Sequence, residues 1–374
     1  RRQRQMCIRD SNYNECITNL ACSIRKYFEL DYHHNTLSYV DELLEKKQPK
    51  NVVVILFDGM GSRILDRVLD KEDFFIKNRK KEITTVFPAT TTAATYSVMT
   101  GLNPVEHGYL GWYSYVEPLD KIIMLFRGIE KDSQKVNKEY DEIRNKLLIN
   151  RTITDEINEI GKYKSKILFP FGDNPYKDLD NMLEIIKKEC QEDGKKYIYA
   201  YDSEPDSTMH DFGPDSNETN KLIKERNKKV DELCQDLEDT IVFVIADHGH
   251  IKVNNLFLND YPSLKIMLER NTSIEQRAIS FKVKDGMHKS FEEEFNKLLG
   301  NYFTLYKKDE IIKSKLFGDG KENKLFRSAI GDYLAIAEDS NKALVSDGDE
   351  RLVSQHAGYT DDEIYIPLII IDKT

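Results

Sequence analysis

The stretch NVVVILFDGMG, Asn51 to Gly61, decides how this chain folds. From Val52 to Phe57 it is an unbroken apolar run rich in β-branched residues, with none of the alternation of a half-exposed strand. A strand can carry that pattern only when both of its faces are covered. The run stops abruptly at Asp58-Gly59, where the chain must turn. Three further stretches read the same way: KYIYAYD (Lys196 to Asp202), TIVFVIADHGH (Thr240 to His250) and EIYIPLIIID (Glu363 to Asp372). Helical periodicity fills the intervals. Cys16, Leu20, Ile24 and Phe28 recur at helical spacing, so a helical segment is expected from about Tyr13 to Lys47. Helices are also expected over Ser62 to Phe75, Asn181 to Glu192 and Thr219 to Leu237. Alternating strands and helices of this kind imply an α/β fold, a mostly parallel sheet sandwiched by helices.

Between about Lys252 and Ala343 the texture changes. AISFKVK, a helix opened by Ser290-Phe-Glu-Glu293 and YFTLYKK suggest a small βαβ unit set into the main fold. The expected division is therefore a core formed by 12–251 and 344–374, with an inserted α+β subdomain at 252–343. Residues 1–11, RRQRQMCIRDS, resemble translated sequencing-adapter read-through and are expected to be an artefactual leader. They are set aside, with Cys7.

Composition narrows the function. Across 374 residues, 40% are hydrophobic and 32% charged, an ordinary globular balance. The net charge of -10 argues against a duplex nucleic acid as partner, since phosphate-backbone binding needs surplus cations. A small phosphorylated substrate stays open, because a bound metal pair supplies about four positive charges locally. The five cysteines (Cys7, Cys16, Cys22, Cys190 and Cys234) are scattered, without a CxxC pair, so neither a disulfide framework nor thiolate-bound zinc is expected. No apolar run reaches the ~20 residues of a membrane span. A cytoplasmic enzyme is the expectation.

The chemistry gathers where strands end. Phe57-Asp58, Tyr201-Asp202 leading to Asp206, and Ala246-Asp247 all place acids at strand termini. In parallel sheets that edge collects the loops and forms the sites. Three of the eight histidines stand near these acids or in a late turn. Asp206 and His210 share one helical face, His248 follows Asp247, and His356 sits in SQHAGYT before the last strand. Nitrogen and carboxylate donors suit zinc, with manganese or iron as the alternative where oxygen ligands dominate. FPATTTAA, Phe87 to Ala94, adds hydroxyls where a helix should begin, and a helix N-terminus favours a phosphoryl group. A cation can activate a threonine hydroxyl there as a nucleophile.

FDGMG (Phe57 to Gly61), FPATTTAATYSVMTGLNPVEHG (Phe87 to Gly108), EPDSTMHDFGPDS (Glu204 to Ser216), ADHGH (Ala246 to His250) and QHAGYT (Gln355 to Thr360) stand in one order. In that order they resemble the nucleotide pyrophosphatase/phosphodiesterase family of the alkaline phosphatase superfamily. The resemblance implies two divalent ions, zinc first. Asp206, His210 and His356 would hold one ion. Asp58, Asp247 and His248 would hold the other, with Thr91 bridging metal and substrate as the nucleophile. Thr90 is the minority candidate for that role. His107 and His250 are expected to be structural or to support ligands rather than to be ligands.

The helix after the nucleophile departs from the family's pattern, reading Thr92-Ala93-Ala94-Thr95-Tyr96, and Trp112 stands where an asparagine contacts a phosphate oxygen. The substrate pocket therefore differs, and the residues that bind substrate are not assigned. The implied activity is hydrolysis of phosphodiester or pyrophosphate bonds through a threonine-linked intermediate. Phosphomonoester hydrolysis is the rival, and it is disfavoured because no Arg or Lys lies in the matching blocks. A non-catalytic ligand-binding relative is the second rival. The Cys/Ser-x-Pro-x-Arg signature of sulfatases is absent.

Overall fold

A computed structural model describes residues 13–172 and 175–374. Residues 1–11 lie outside the described residues. Six strands form the main sheet: β1 (Asn51–Phe57), β2 (Arg79–Thr84), β3 (Lys164–Leu168), β4 (Lys196–Asp202), β5 (Thr240–Ile245) and β6 (Tyr365–Asp372). Their spatial order is β2-β6-β5-β1-β4-β3. β1 lies parallel between β5 and β4, β3 runs parallel to β4, and β6 pairs antiparallel with both β5 and β2. Every residue of β1, β4 and β5 is buried. Successive side chains point to opposite faces, so both faces are covered, as the apolar runs require.

The covering helices fall into two packed groups. Ile17–Tyr27 packs on Thr91–Thr100, while Asn217–Gln235 packs on Ser62–Val68, Phe74–Asn78 and Leu179–Gln191. Their apolar residues share one core with the strands, including Ile24, Ile64, Val98, Ile186 and Val230.

Two helical expectations were too long. Tyr13 to Lys47 contains two helices, Ile17–Tyr27 and Ser38–Lys47, and Glu29 with φ +60° breaks the path between them. The intervening Asp31-Tyr-His-His-Asn35 has no apolar face to hold a helix against the core. Ser62 to Phe75 likewise splits into Ser62–Val68 and Phe74–Asn78, with Asp73 as the cap of the second.

A second, seven-stranded sheet flanks the first. Thr304–Lys307, Tyr333–Ile336, Ala278–Phe281 and Ser273–Ile274 continue into Tyr113–Val116, Lys121–Met124 and Ile129–Glu130. Ala278–Phe281 and Thr304–Lys307 both run antiparallel to Tyr333–Ile336, so they are parallel to one another with that strand between them. Helix His288–Leu298 connects them, making a split βαβ unit. Ser290 lies inside that helix, whose cap is Met287. Four strands of this sheet come from 252–343 and three from 113–130. Among the described residues, no helix is long and apolar enough to cross a membrane, and Cys16, Cys22, Cys190 and Cys234 are buried free thiols.

Candidate metal centre

The strand ends β1, β4 and β5 lie side by side, so the loops leaving them meet. Asp58 N–H donates to Asp202 O (2.9 Å), and Asp206 N–H donates to Asp58 O (3.0 Å). The loops come closer than side chains would allow. A Cβ on Gly61 would stand 2.5 Å from Gly249 Cα, and one on Gly249 would stand 1.9 Å from Asp362 O. Glycine at both positions lets the Asp58 and Asp247 turns touch.

Asp58, Asp247 and His248 form one buried group, and Asp206, His210, His250 and His356 form another. Within each group the candidate ligand atoms lie within 4.8 Å of one another. The groups adjoin, with the His248 and His356 rings stacked at 3.9 Å. All six aspartates and histidines expected as ligands are therefore brought together. Asp202 is not among them. It is tied to Arg226 by a buried ion pair of 2.6 Å.

The histidine tautomers follow from their partners. Carbonyl oxygens only accept, so Nδ1–H donates in His210 (to Ser354 O, 2.9 Å), His248 (to Gly249 O, 3.1 Å) and His356 (to Ala89 O, 3.1 Å). In each neutral ring Nε2 is then a lone pair facing the carboxylates. His248 Nε2 lies 3.3 Å from Asp58 Oδ1, and His210 Nε2 lies 3.3 Å from Asp206 Oδ2. Lone pairs facing carboxylates repel unless a cation or proton lies between them. Metal-ligating histidines carry this backbone-anchored pattern. Asp247 Oδ2 is buried without a hydrogen-bond partner, a costly state for a carboxylate that a cation relieves. The donor set thus fits divalent ions.

The electrostatics agree. Burial, then the charge of Asp206, pushes the Asp58 carboxyl well above its ordinary range. Burial, then Asp58, does the same to Asp247. Burial also works against an ionised Asp206, but the charge of His210 prevails and holds its carboxyl well below the ordinary range. Burial would lower His210 too, yet Asp206 raises it to about 9. Burial, then His248, drives His356 well below the usual imidazole value.

Thr91 opens the helix Thr91–Thr100. Its Oγ1 lies 3.2 Å from His248 Nε2 and 3.3 Å from Asp58 Oδ2. Thr90 Oγ1 points elsewhere and donates to Glu275 Oε1 at 2.6 Å. Thr91, Asp206, His210 and His356 line a cavity of about 350 Å³, together with Trp112 and Glu275.

His107 is a structural histidine. It accepts from Tyr109 N–H (3.1 Å) through Nδ1, lies 3.1 Å from Ser97 Oγ through Nε2, and burial pushes it down to about 3.

Two residues of the site escaped sequence reading. Tyr201 donates its hydroxyl to Asp58. Its place one residue before the end of β4, beside an acid-terminated neighbour, was the available signal. Glu275 accepts from both Thr90 Oγ1 and Trp112 N–H (2.7 Å), and burial lifts its carboxyl to about 7. The residue before it, Ile274, has a left-handed backbone (φ +74°), which no sequence pattern betrays.

Residues 52–181 and 162–360 match the family model described as type I phosphodiesterase / nucleotide pyrophosphatase. The chain belongs to this family, and it is a hydrolase. Its fold is similar to that of murine ectonucleotide pyrophosphatase / phosphodiesterase 5 (TM-score 0.63, 20% identity, covering 85% of this chain and 87% of that one). An inactive threonine-to-alanine variant of the murine protein, in complex with AMP, matches at TM-score 0.62 and 19% identity, with 85% and 87% covered. Phosphonoacetate hydrolase from Sinorhizobium meliloti 1021, in complex with phosphonoacetate, matches at TM-score 0.62 and 15% identity, with 86% and 90% covered. No curated protein matches the chain by sequence.

Proposed function

We propose that the chain hydrolyses phosphodiester or pyrophosphate bonds of small phosphorylated substrates, with Thr91 as nucleophile and two zinc ions as cofactors. The observation that carries this reading is the position of Thr91 Oγ1, at a helix start and beside Asp58 and His248, on the cavity that Asp206, His210 and His356 also line. Asp206, His210 and His356 would hold one ion, and Asp58, Asp247 and His248 the other, with Thr91 at the latter. The nitrogen and carboxylate donors suit zinc. When bound, the pair lowers the pKa of the threonine hydroxyl and offsets charge that builds on the phosphoryl oxygens.

Thr91 then attacks phosphorus in line with the leaving oxygen, and water releases the phosphoryl group from Thr91 in the second step. The helix N-terminus favours that group's negative charge. The Thr90 hydroxyl donates to Glu275, which favours Thr91 over Thr90 in this reading. The relative whose threonine-to-alanine form is inactive and binds AMP supports both the nucleophile type and the substrate class. The proposed division keeps 12–251 and 344–374 as the catalytic core with 252–343 inserted, and the insertion supplies Glu275 to the cavity wall.

The test is a zinc-loaded screen of bis-nitrophenyl phosphate, nucleotide diesters, pyrophosphates and monoesters, run on the wild type and Thr91→Ala. Diester or pyrophosphate turnover that vanishes in Thr91→Ala with both ions retained is expected. Near-wild-type turnover in the variant removes Thr91 as nucleophile, and preference for monoesters overturns the substrate class.

A further inference from the structure

His250 lies beside the first of these ion sites, and its hydrogen bonds differ from those of a structural histidine. The chain places it by a short ladder. Ile251–Lys252 pairs antiparallel with Ser354–Gln355, so one step further along the register His250 stands opposite His356. Ser354 Oγ lies 2.6 Å from Met209 O, and a carbonyl only accepts, so the single serine proton is used there. At the 2.9 Å contact between His250 Nδ1 and Ser354 Oγ the proton must therefore come from the ring. In the neutral ring Nε2 is left as a lone pair, and it points at Asp206 Oδ1 from 2.5 Å.

This arrangement repeats that of His210 and His356, whose Nδ1–H groups are anchored on Ser354 O and Ala89 O. The three rings form a near-equilateral triangle around Asp206, with centroids 4.7, 5.2 and 5.4 Å apart. His107 shows the contrast, since both of its nitrogens meet protein partners that are not carboxylates.

We infer that His250 is a fourth protein ligand of the cation held by Asp206, His210 and His356. This rests on the two-ion reading above and extends it. Three imidazoles and one carboxylate make four protein donors, so a phosphoryl oxygen would join this ion as a fifth, an expansion that catalytic zinc adopts. The consequence is retention: without His250 this ion keeps only three protein donors and leaves to a chelator faster. Ser354 acts as a positioning residue, because its Oγ fixes the ring of His250 while its carbonyl fixes that of His210.

Two readouts test this without reference to turnover: metal content after timed dialysis against a chelator, and the visible absorption of the Co2+-substituted protein. The wild type sets the rate at which the ion at Asp206 is lost to the chelator. In His250→Ala that ion should leave more than about 100-fold faster, beyond the roughly 10–100-fold cost of losing a supporting partner, and the Co2+ band should change in shape and intensity. Ser354→Ala should lose it about tenfold faster. Wild-type retention and an unchanged Co2+ spectrum in a folded His250→Ala would overturn the inference. If that variant does not fold, unchanged retention in Ser354→Ala overturns it instead. A wild type that binds no ions refutes the two-ion reading itself and this inference with it.

Discussion

Asp206 holds His210 at about 9, so in the ion-free protein at neutral pH this ring carries a proton that an incoming cation must displace. A ligand whose pKa lies above the working pH makes apparent metal affinity rise with pH, and the rise ends when the pH passes that pKa. For one displaced proton the apparent dissociation constant scales as 1 + 10 raised to (pKa − pH). With a pKa near 9 the factor is about 100 at pH 7 and about 2 at pH 9. Zinc affinity at the Asp206 site should therefore strengthen about 50-fold between pH 7 and 9. The assay is competition between apoprotein and a colorimetric zinc chelator, corrected for the chelator's own protonation, at half-unit steps from pH 6.5 to 9.5. His210→Gln, which cannot take up the proton, should bind more weakly and lose this slope. Flat wild-type affinity between pH 7 and 9 refutes the reasoning, because it means His210 is already unprotonated in the empty site.

Thr91→Ala should lower kcat by at least about a thousandfold with both ions still bound, whereas Thr90→Ala should stay within about tenfold of the wild type; steady-state kinetics with metal analysis check both. Arg277 and Glu363 form a wholly buried pair at 2.6 Å, and Glu363 also accepts from Gly358 N–H (2.8 Å) in the turn that carries His356. Arg277→Ala should therefore cost about 3–5 kcal/mol in denaturant unfolding, since it strands a buried carboxylate. Gly249→Ala drives a methyl group onto Asp362 O, so the loop bearing Asp247 and His248 must move. The expected result is loss of about 3 kcal/mol of stability and of the ion proposed at Asp58, Asp247 and His248, read by thermal melts and metal content.

Much of the fold was legible because the decisive strands are buried on both faces. NVVVILF and KYIYAYD read as complete strands and are β1 and β4 residue for residue. The second sheet was half legible. Ala278–Phe281 and Thr304–Lys307 stood out, but Tyr113–Val116 and Lys121–Met124 are short, partly polar strands whose link to Ser273–Ile274 spans well over a hundred residues. Long-range pairing of that kind leaves no local periodicity. The loop after Tyr27 was invisible for the opposite reason: apolar spacing on either side bridged it. At the site, acids at strand ends foretold the meeting of Asp58, Asp206 and Asp247, because strand adjacency follows from a parallel sheet. Glu275 and Tyr201 were not foretold, since each depends on one backbone turn or one side-chain direction rather than on a pattern.

The most direct measurement of the central claim is anomalous diffraction at the zinc absorption edge from crystals grown with zinc. Two peaks are predicted a few ångströms apart, one bounded by Asp58, Asp247, His248 and Thr91 Oγ1, the other by Asp206, His210 and His356. A single peak, or zinc bound away from these side chains, would contradict the account.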